Sequence, residues 1–595
     1  MSHRTVVALL LAAGAALGAE LPRADDPGHF TPADELAMVR LARQALAGES
    51  PRFDPQAMPA KLLRSTGQPL ILSAHRPGTE PRRAVARRGT LFEQLAAAGA
   101  VLRRGEGLGP VAELRLKVDI VRSPQPISLA RLGPRDEPVL GIHGLRLRSG
   151  EAELVLPPSD ALRLGLAEGE AFVRHALERL AVPGGRLAEV EAERFAVVSF
   201  IEREPGGGGP PVRLYRARPL VERVTAGRLL AAAEAGADWL VRFQRPDGRF
   251  RYVYHAARDA AVDEPYNATR HAGTAWSLAQ AFAATGERRF GEGARRALAW
   301  LLSCAEGDGE MAWVAWAGER ELGAAALAVV ALLEYREAAG TRRFDRVIRR
   351  LGRFLVAMQR DDGFFWSHYD PQAGQGTLPT GHVPLYAPGE AFLALVRLQR
   401  AMPEPAWRRA ALAAADFLVE RRDEWYAAHD LPAVLPDAWT MMGLDELHAL
   451  GLGTRRHADY GLFLAHIALE EQLGPAEARW LDHVGAPRER ARAPRVGPAA
   501  SRCEGVLAAW RLARRLGGDT APYRRFALRS ARFQLAHQYG PVNGYLVPQP
   551  ARARGGFFSS YAQPTVRIDC VQHNLSALLG LAALLADEPG PRKAP

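Results

Sequence analysis

Six stretches of this 595-residue chain set carboxylates, arginine, histidine and aromatic residues around a small residue. Tyr266, Asn267, Arg270 and His271 precede Gly273, and Glu321 precedes Gly323. His382, Tyr386 and Glu390 surround Gly389, and Asp437 and Trp439 precede Gly443. Arg502 and Glu504 precede Gly505, while Arg567, Asp569, Gln572 and His573 precede Asn574. Carboxylates and imidazoles carry protons, and arginine with aromatic faces holds a polar ring, so this mixture suits a carbohydrate in a concave mouth. The catalytic candidates are Glu390, Asp437, Glu504 and Asp569, a pool for a paired acid and base of the hydrolytic kind. His271 and His573 would instead form a two-base pair across a carbon, as epimerisation requires. Asp569 and His573 lie four apart and share a helical face. Candidate substrate-binding residues are Tyr266, Asn267, Arg270, His382, Tyr386, Trp439, Arg502, Arg567 and Gln572. A structural reading competes at several of them. Asp437, Asp569 and Glu390 suit helix N-termini, and Arg502 with Glu504 suits an ion pair.

The elements that must position these groups are helices. From residue 221 to 587 apolar residues recur at helical spacing, in hairpins whose second helices begin near the six small residues. One phrase is written twice: Gln244, Asp247 and Gly248 line up with Gln359, Asp362 and Gly363. Repeats of this sort mark a repeat architecture, and Asp-Gly is turn chemistry. Six hairpins in series predict a closed (α/α)6 toroid, in which parallel inner helices bring their polar starts to one mouth. Upstream the pattern is α+β, with strands near 69–73, 112–121, 139–148, 152–157 and 195–200 and helices near 31–48 and 168–180. Residues 204–220, opening with Gly206 to Gly209 and prolines, read as a linker. The fold class is multidomain: a small α+β domain at 30–203, then an all-α toroid.

The toroid pattern is similar to the six-hairpin glycosidase-like superfamily, which implies glycoside hydrolase, polysaccharide lyase or sugar epimerase chemistry; the alternative is a non-catalytic polysaccharide-binding or cell-envelope accessory protein. The first domain resembles the AmmeMemoRadiSam system protein A family. LARQAL at Leu41 to Leu46, VDIVRSPQPIS at Val118 to Ser128, GIHGLRL at Gly141 to Leu147 and LVLPPSDA at Leu154 to Ala161 carry that resemblance. The family's arginine–glycine–cysteine segment is missing from this chain. The resemblance implies an accessory, non-catalytic domain. The Gln-Asp-Gly phrases are also similar to the repeats of terpene cyclases, but no matching acid motif accompanies them.

Composition narrows the class further. Net charge is +11, yet the arginines are scattered on polar helix faces without a stacked-aromatic basic stripe, which argues against nucleic acid. Residues 1–19 join Arg4, an apolar run and small residues, the pattern of a secretory leader. The expectation is an exported, periplasmic or extracellular bacterial protein, with no other run apolar enough to cross a membrane. Cys304, Cys503 and Cys570 have no paired spacing and read as small apolar residues. No metal or nucleotide motif occurs, so no cofactor is expected. The sequence sets no oligomeric state.

Overall fold

A computed structural model describes residues 30–588, apart from 50–58, 130–132, 134–135, 182–186, 432–433 and 490–492. The leader-like residues 1–19 lie outside the described residues.

The first domain begins as its sequence predicts. Thr31 caps helix α1 (Pro32–Ala47) by accepting from the Asp34 amide at 3.2 Å, with proline in the first turn. Eight antiparallel strands follow: β1 (Leu70–His75), β2 (Arg82–Ala86), β3 (Arg115–Pro126), β4 (Gly144–Ser149), β5 (Ala152–Leu156), β6 (Glu191–Ile201), β7 (Val212–Tyr215) and β8 (Arg218–Pro219). The sheet order is β2-β1-β3-β6-β4-β5, with β7 and β8 paired beyond β6. Residues 212–219, read from sequence as linker, are therefore part of the sheet. Side chains alternate across the sheet. Leu70, Leu72, Val118 and Ile120 bury one face against α1 and α2 (Leu91–Arg104). Helices α3 (Ser159–Arg163) and α4 (Gly169–Leu180) lie between β5 and β6 in the chain, and Phe172, Val173 and Ala176 of α4 pack against Leu145 and Leu147 of β4.

The helical domain starts at α5 (Ala226–Arg242) and alternates outer with inner helices. After α6 (Ala268–Thr285) come α7 (Arg288–Ser303), α8 (Leu322–Ala338), α9 (Asp345–Ala357) and α10 (Ala387–Ala401). Then follow α11 (Pro405–Glu420), the short α12 (Arg422–Ala427), α13 (Ala438–Ala449), α14 (Arg455–Glu470), α15 (Val496–Arg515), α16 (Ala521–Ala536), α17 (Pro550–Ala553) and α18 (Ile568–Ala586). Helices α6, α8, α10, α13, α15 and α18 each pack on the next, and α18 returns to α6. The ring is closed. By length and composition α18 could cross a membrane, contrary to the sequence expectation, but it is an inner helix and mostly buried.

The small residues of the sequence pattern are contact points between inner helices. A Cβ on Gly323 would strike the Glu390 carboxylate, one on Gly389 the Asp437 carboxylate, and one on Gly273 the Gln572 amide. Gly505 admits Met441 in the same way. Helix α15 departs from expectation by starting nine residues before Gly505, so Arg502 and Glu504 sit deeper along the ring axis.

The twice-written glutamine phrase is a clip, and the structure holds it four times. Gln244 Nε2 donates to the carbonyls of Gly248 and Gly293, at 3.1 and 2.9 Å. Gln359 does the same to Gly363 and Ala410, at 3.1 and 2.9 Å. Gln472 reaches Gly485 and Phe526, and Gln538 reaches Gly555 and Ala232. Each clip joins the end of one outer helix to the body of the next, and the last joins the final hairpin to the first. Gly248, Gly363, Gly485 and Gly555 all have positive φ and press on a neighbouring carbonyl, so a side chain fits at none of them.

The two domains meet through polar contacts. Buried Arg216 pairs with Asp482 at 3.1 Å, Tyr545 donates to the Ala217 carbonyl at 2.7 Å, and Arg115 donates to the Pro541 carbonyl at 2.7 Å. Cys304, Cys503 and Cys570 are free thiols, the latter two buried.

Candidate active site

Asp437 caps α13. Its carboxylate accepts from the Trp439 and Thr440 amides at 3.1 and 3.3 Å and from the Thr440 hydroxyl at 2.5 Å. Arg422 stands 4.0 Å away, itself almost wholly buried. Burial nonetheless raises the pKa of Asp437, against the pull of Arg422 and these donors. Sequence reading missed Arg422, because its arginine-rich helix end looks like a solvated face.

Glu390 sits in the first turn of α10 over Gly323, 6 % exposed. It accepts no hydrogen bond from the described residues. Burial, then the charges of Asp437 and Glu321, push its pKa up to about 8, while His573 and Arg270 oppose the shift. It is a carboxylic acid that keeps its proton at neutral pH.

Asp569, on the first turn of α18, is the opposite case. Arg567 binds it at 2.5 and 2.7 Å, and Arg270 reaches it at 3.1 Å while also donating to Tyr252 at 2.7 Å. Burial alone would raise its pKa, but Arg567 and Arg270 outweigh it and hold it below the usual range. Asp569 is an anchored anion, not a proton carrier. One turn on, His573 Nδ1 stands 2.7 Å from Glu504 Oε2 on α15. Burial works against a charged imidazole, yet Glu504, Asp569 and Glu390 together raise the His573 pKa. Its Nε2 has no partner among the described residues, and Glu504 Oε1 is buried without one.

The structure thus brings Arg270, Glu390, Asp437, Arg567, Asp569 and His573 together at the start of the inner helices, with Glu504 deeper on α15 behind His573. Trp439 is buried beside His573 and Trp276, with ring centroids 6.1 and 5.6 Å away. Tyr386 is an exposed aromatic of the same rim, in the field of Asp437, Arg502 and Glu390. Arg502 pairs with Glu471 at 2.7 Å, not with Glu504. His382 lies exposed on the loop before α10, its ring 5.1 Å from that of His368.

Four sequence candidates serve the fold instead: His271, Tyr266, Asn267 and Gln572. His271 is 0 % exposed, its Nδ1 2.7 Å from the Tyr266 hydroxyl and its Nε2 2.9 Å from the Ala297 carbonyl. Burial lowers its pKa to about 4. The ring is neutral, sealed in the core with Tyr266, and cannot form a two-base pair with His573. Asn267 is the cap of α6, and Gln572 fills the space over Gly273.

At the other end of the ring, a cavity of about 820 Å³ opens among the last turns of the inner helices and reaches Glu504. Apart from Glu337 and the inner Glu504, its charges are matched. Arg397 pairs with Glu446 at 2.8 Å and Glu334 at 3.3 Å, Arg400 pairs with Glu446 at 2.9 Å, and Arg511 and Arg515 hold Asp445.

No family model matches the sequence, and no curated protein matches it. Among solved structures, an uncharacterized protein, PH0010, from Pyrococcus horikoshii is similar over 31 % of this chain and 97 % of its own, at 20 % identity and TM-score 0.26. A cellobiose 2-epimerase from Bacillus thermoamylovorans is similar over 60 % of this chain and 99 % of its own, at 10 % identity and TM-score 0.48. A family 76 glycoside hydrolase from a bovine Bacteroides thetaiotaomicron strain covers 79 % of this chain and 96 % of its own, at 8 % identity and TM-score 0.43.

Proposed function

We propose that the toroid is a glycan-processing enzyme that works by acid–base chemistry at the mouth formed by the inner-helix starts. Glu390 carries the reading. A buried carboxyl group without a hydrogen-bond partner among the described residues, its pKa up to about 8, is costly to keep for packing alone and apt for delivering a proton to a sugar oxygen. Asp437 is the neighbouring carboxylate. Arg270, Arg567 and the exposed ring of Tyr386 supply hydrogen bonds and a stacking face for a sugar. In hydrolysis Glu390 protonates the leaving oxygen and a second group activates water.

A second reading has its own observation. His573, oriented by Glu504 and with Nε2 unpartnered among the described residues, has the arrangement of a base aimed at a carbon-bound proton. Epimerisation or elimination would pair it with Glu390, now that His271 is excluded.

The test is a screen of the full chain against oligosaccharides and uronic-acid polymers, reading reducing ends, unsaturated products and epimers. Turnover lost in both Glu390→Gln and His573→Ala supports the proposal, and the product type separates the two readings. Saturable glycan binding without turnover, unchanged in both variants, would replace the enzyme with a binding module. Export is part of the proposal and rests on residues 1–19. N-terminal sequencing of periplasmic and secreted material checks it, and an uncleaved cytoplasmic chain overturns it.

A further inference from the structure

A sheet that only needed to fold would bury apolar side chains on both covered faces. The face of β1 and β3 turned away from α1 and α2 does so only in part, at Ile71 and Val121. The register sets Ser73 opposite Lys117 and His75 opposite Arg115, with Asp119 opposite Ser199 of β6. Alternation therefore puts all six polar residues on one face. Lys117 and Asp119 pair there, fully buried, but the hydroxyls of Ser73 and Ser199 are buried without a partner among the described residues. Unpaired buried polar atoms cost stability; Ser73 and Ser199 do not line open space, but His75 of the same face does.

Beside them lies a cavity of about 490 Å³ between the two domains, a volume that fits a small organic molecule. The first domain contributes His75, Arg76, Arg115, Arg163 and Arg203; the toroid contributes Tyr545 with Pro541 and Pro548. His75 is 7 % exposed and neither ring nitrogen has a partner among the described residues; Nε2 is wholly buried. Burial and the charges of Lys117, Arg83, Arg115 and Arg163 keep the ring neutral, so it offers one donor and one acceptor. Arg115 gives its donors to three carbonyls, those of Glu202, Arg203 and Pro541 at 2.6, 2.8 and 2.7 Å, and to no carboxylate. Arg163 is held by Glu80 at 2.7 Å, which leaves Glu204 as the second acid on the wall against Arg76, Arg115 and Arg203. The cavity is cationic on one side and apolar on the other, where the Tyr545 ring stands 5.0 Å from that of His75.

We propose that this junction is a second binding site, for a small organic anion whose carboxylate or phosphate faces His75 and the arginines and whose apolar body lies on Tyr545. The ligand touches both domains and so ties their relative placement to its own concentration. The site is separate from the toroid mouth and independent of any activity there.

Calorimetric titration of the full chain with phenyl phosphate, inorganic phosphate and phenol tests it. Phenyl phosphate binds saturably and more tightly than inorganic phosphate, and phenol does not bind. His75→Ala and Arg76→Glu each weaken phenyl phosphate about tenfold, the loss expected when one hydrogen bond or charge contact goes. Glu390→Gln leaves the titration unchanged, which separates this site from the toroid mouth. The absence of saturable binding by phenyl phosphate, equal binding of the two phosphates, or titrations indifferent to both first-domain variants would overturn the proposal.

Discussion

The two ends of the toroid's lumen hold similar residues in opposite states. At the inner-helix ends, Arg397, Arg400, Glu334 and Glu446 satisfy one another, as Asp445 does with Arg511 and Arg515. At the inner-helix starts, Glu390 has no hydrogen-bond partner among the described residues, burial raises the pKa of Asp437, and His573 keeps one nitrogen without a partner among them. Arginines near helix C-termini also suit the local dipole. Charge content alone therefore does not mark a reactive site. What marks it is charge that the fold leaves unmatched and burial has shifted.

The largest expected effect breaks the symmetry directly. Glu390→Gln cuts turnover on the best glycan substrate by about 10²–10⁴-fold, the range for a lost general acid, while Glu446→Gln leaves kcat unchanged. If both fall alike, the contrast between the ends is wrong. Stability reverses the order. Glu446→Gln and Asp445→Asn lower the unfolding free energy in urea by about 1–3 kcal/mol, because each strands arginines that had paired. Glu390→Gln holds or raises it at pH 8.

The pH dependence sharpens the same contrast. Glu390 binds its proton more tightly folded than unfolded, so its contribution is fully present below its ordinary value of 4.5 and is lost as pH rises through about 8. The wild-type urea midpoint therefore falls between those values by more than that of Glu390→Gln, and acid catalysis by Glu390 fades above about pH 8. The smallest effect concerns the rim. Gln359→Ala and Gln538→Ala each cost about 1–2 kcal/mol, two hydrogen bonds to buried carbonyls apiece, read as a lower unfolding midpoint.

Much of the ring was legible because its constraints are local. Gly323 and Gly389 stand out in sequence for the reason they matter in space: a carboxylate from the next inner helix lies on each. Thr31 and Pro32 announce α1 by capping chemistry. His271 was misread because the partners that seal it, Tyr266 and the Ala297 carbonyl, come from a loop and another helix. Two of the four clips escaped notice, since Gln472 and Gln538 meet Gly485 and Gly555 across loops far longer than the Gln244–Gly248 spacing. Helix α15 was placed late because Gly497 and Pro498 imitate a loop. Only the folded ring reveals which of two equally polar carboxylates, Asp569 or Glu390, has found an arginine.

The closure of α18 on α5, α6 and α15 has a consequence for biosynthesis. Five of the six inner helices leave the ribosome before the last one exists, with the greasy flanks of the first and fifth still bare. Long-range closure is slow, and such an open arc is adhesive while it waits. A nascent chain of this design needs sheltering until its final segment emerges, and a stop codon just ahead of Ile568 would leave an insoluble fragment rather than a smaller working protein.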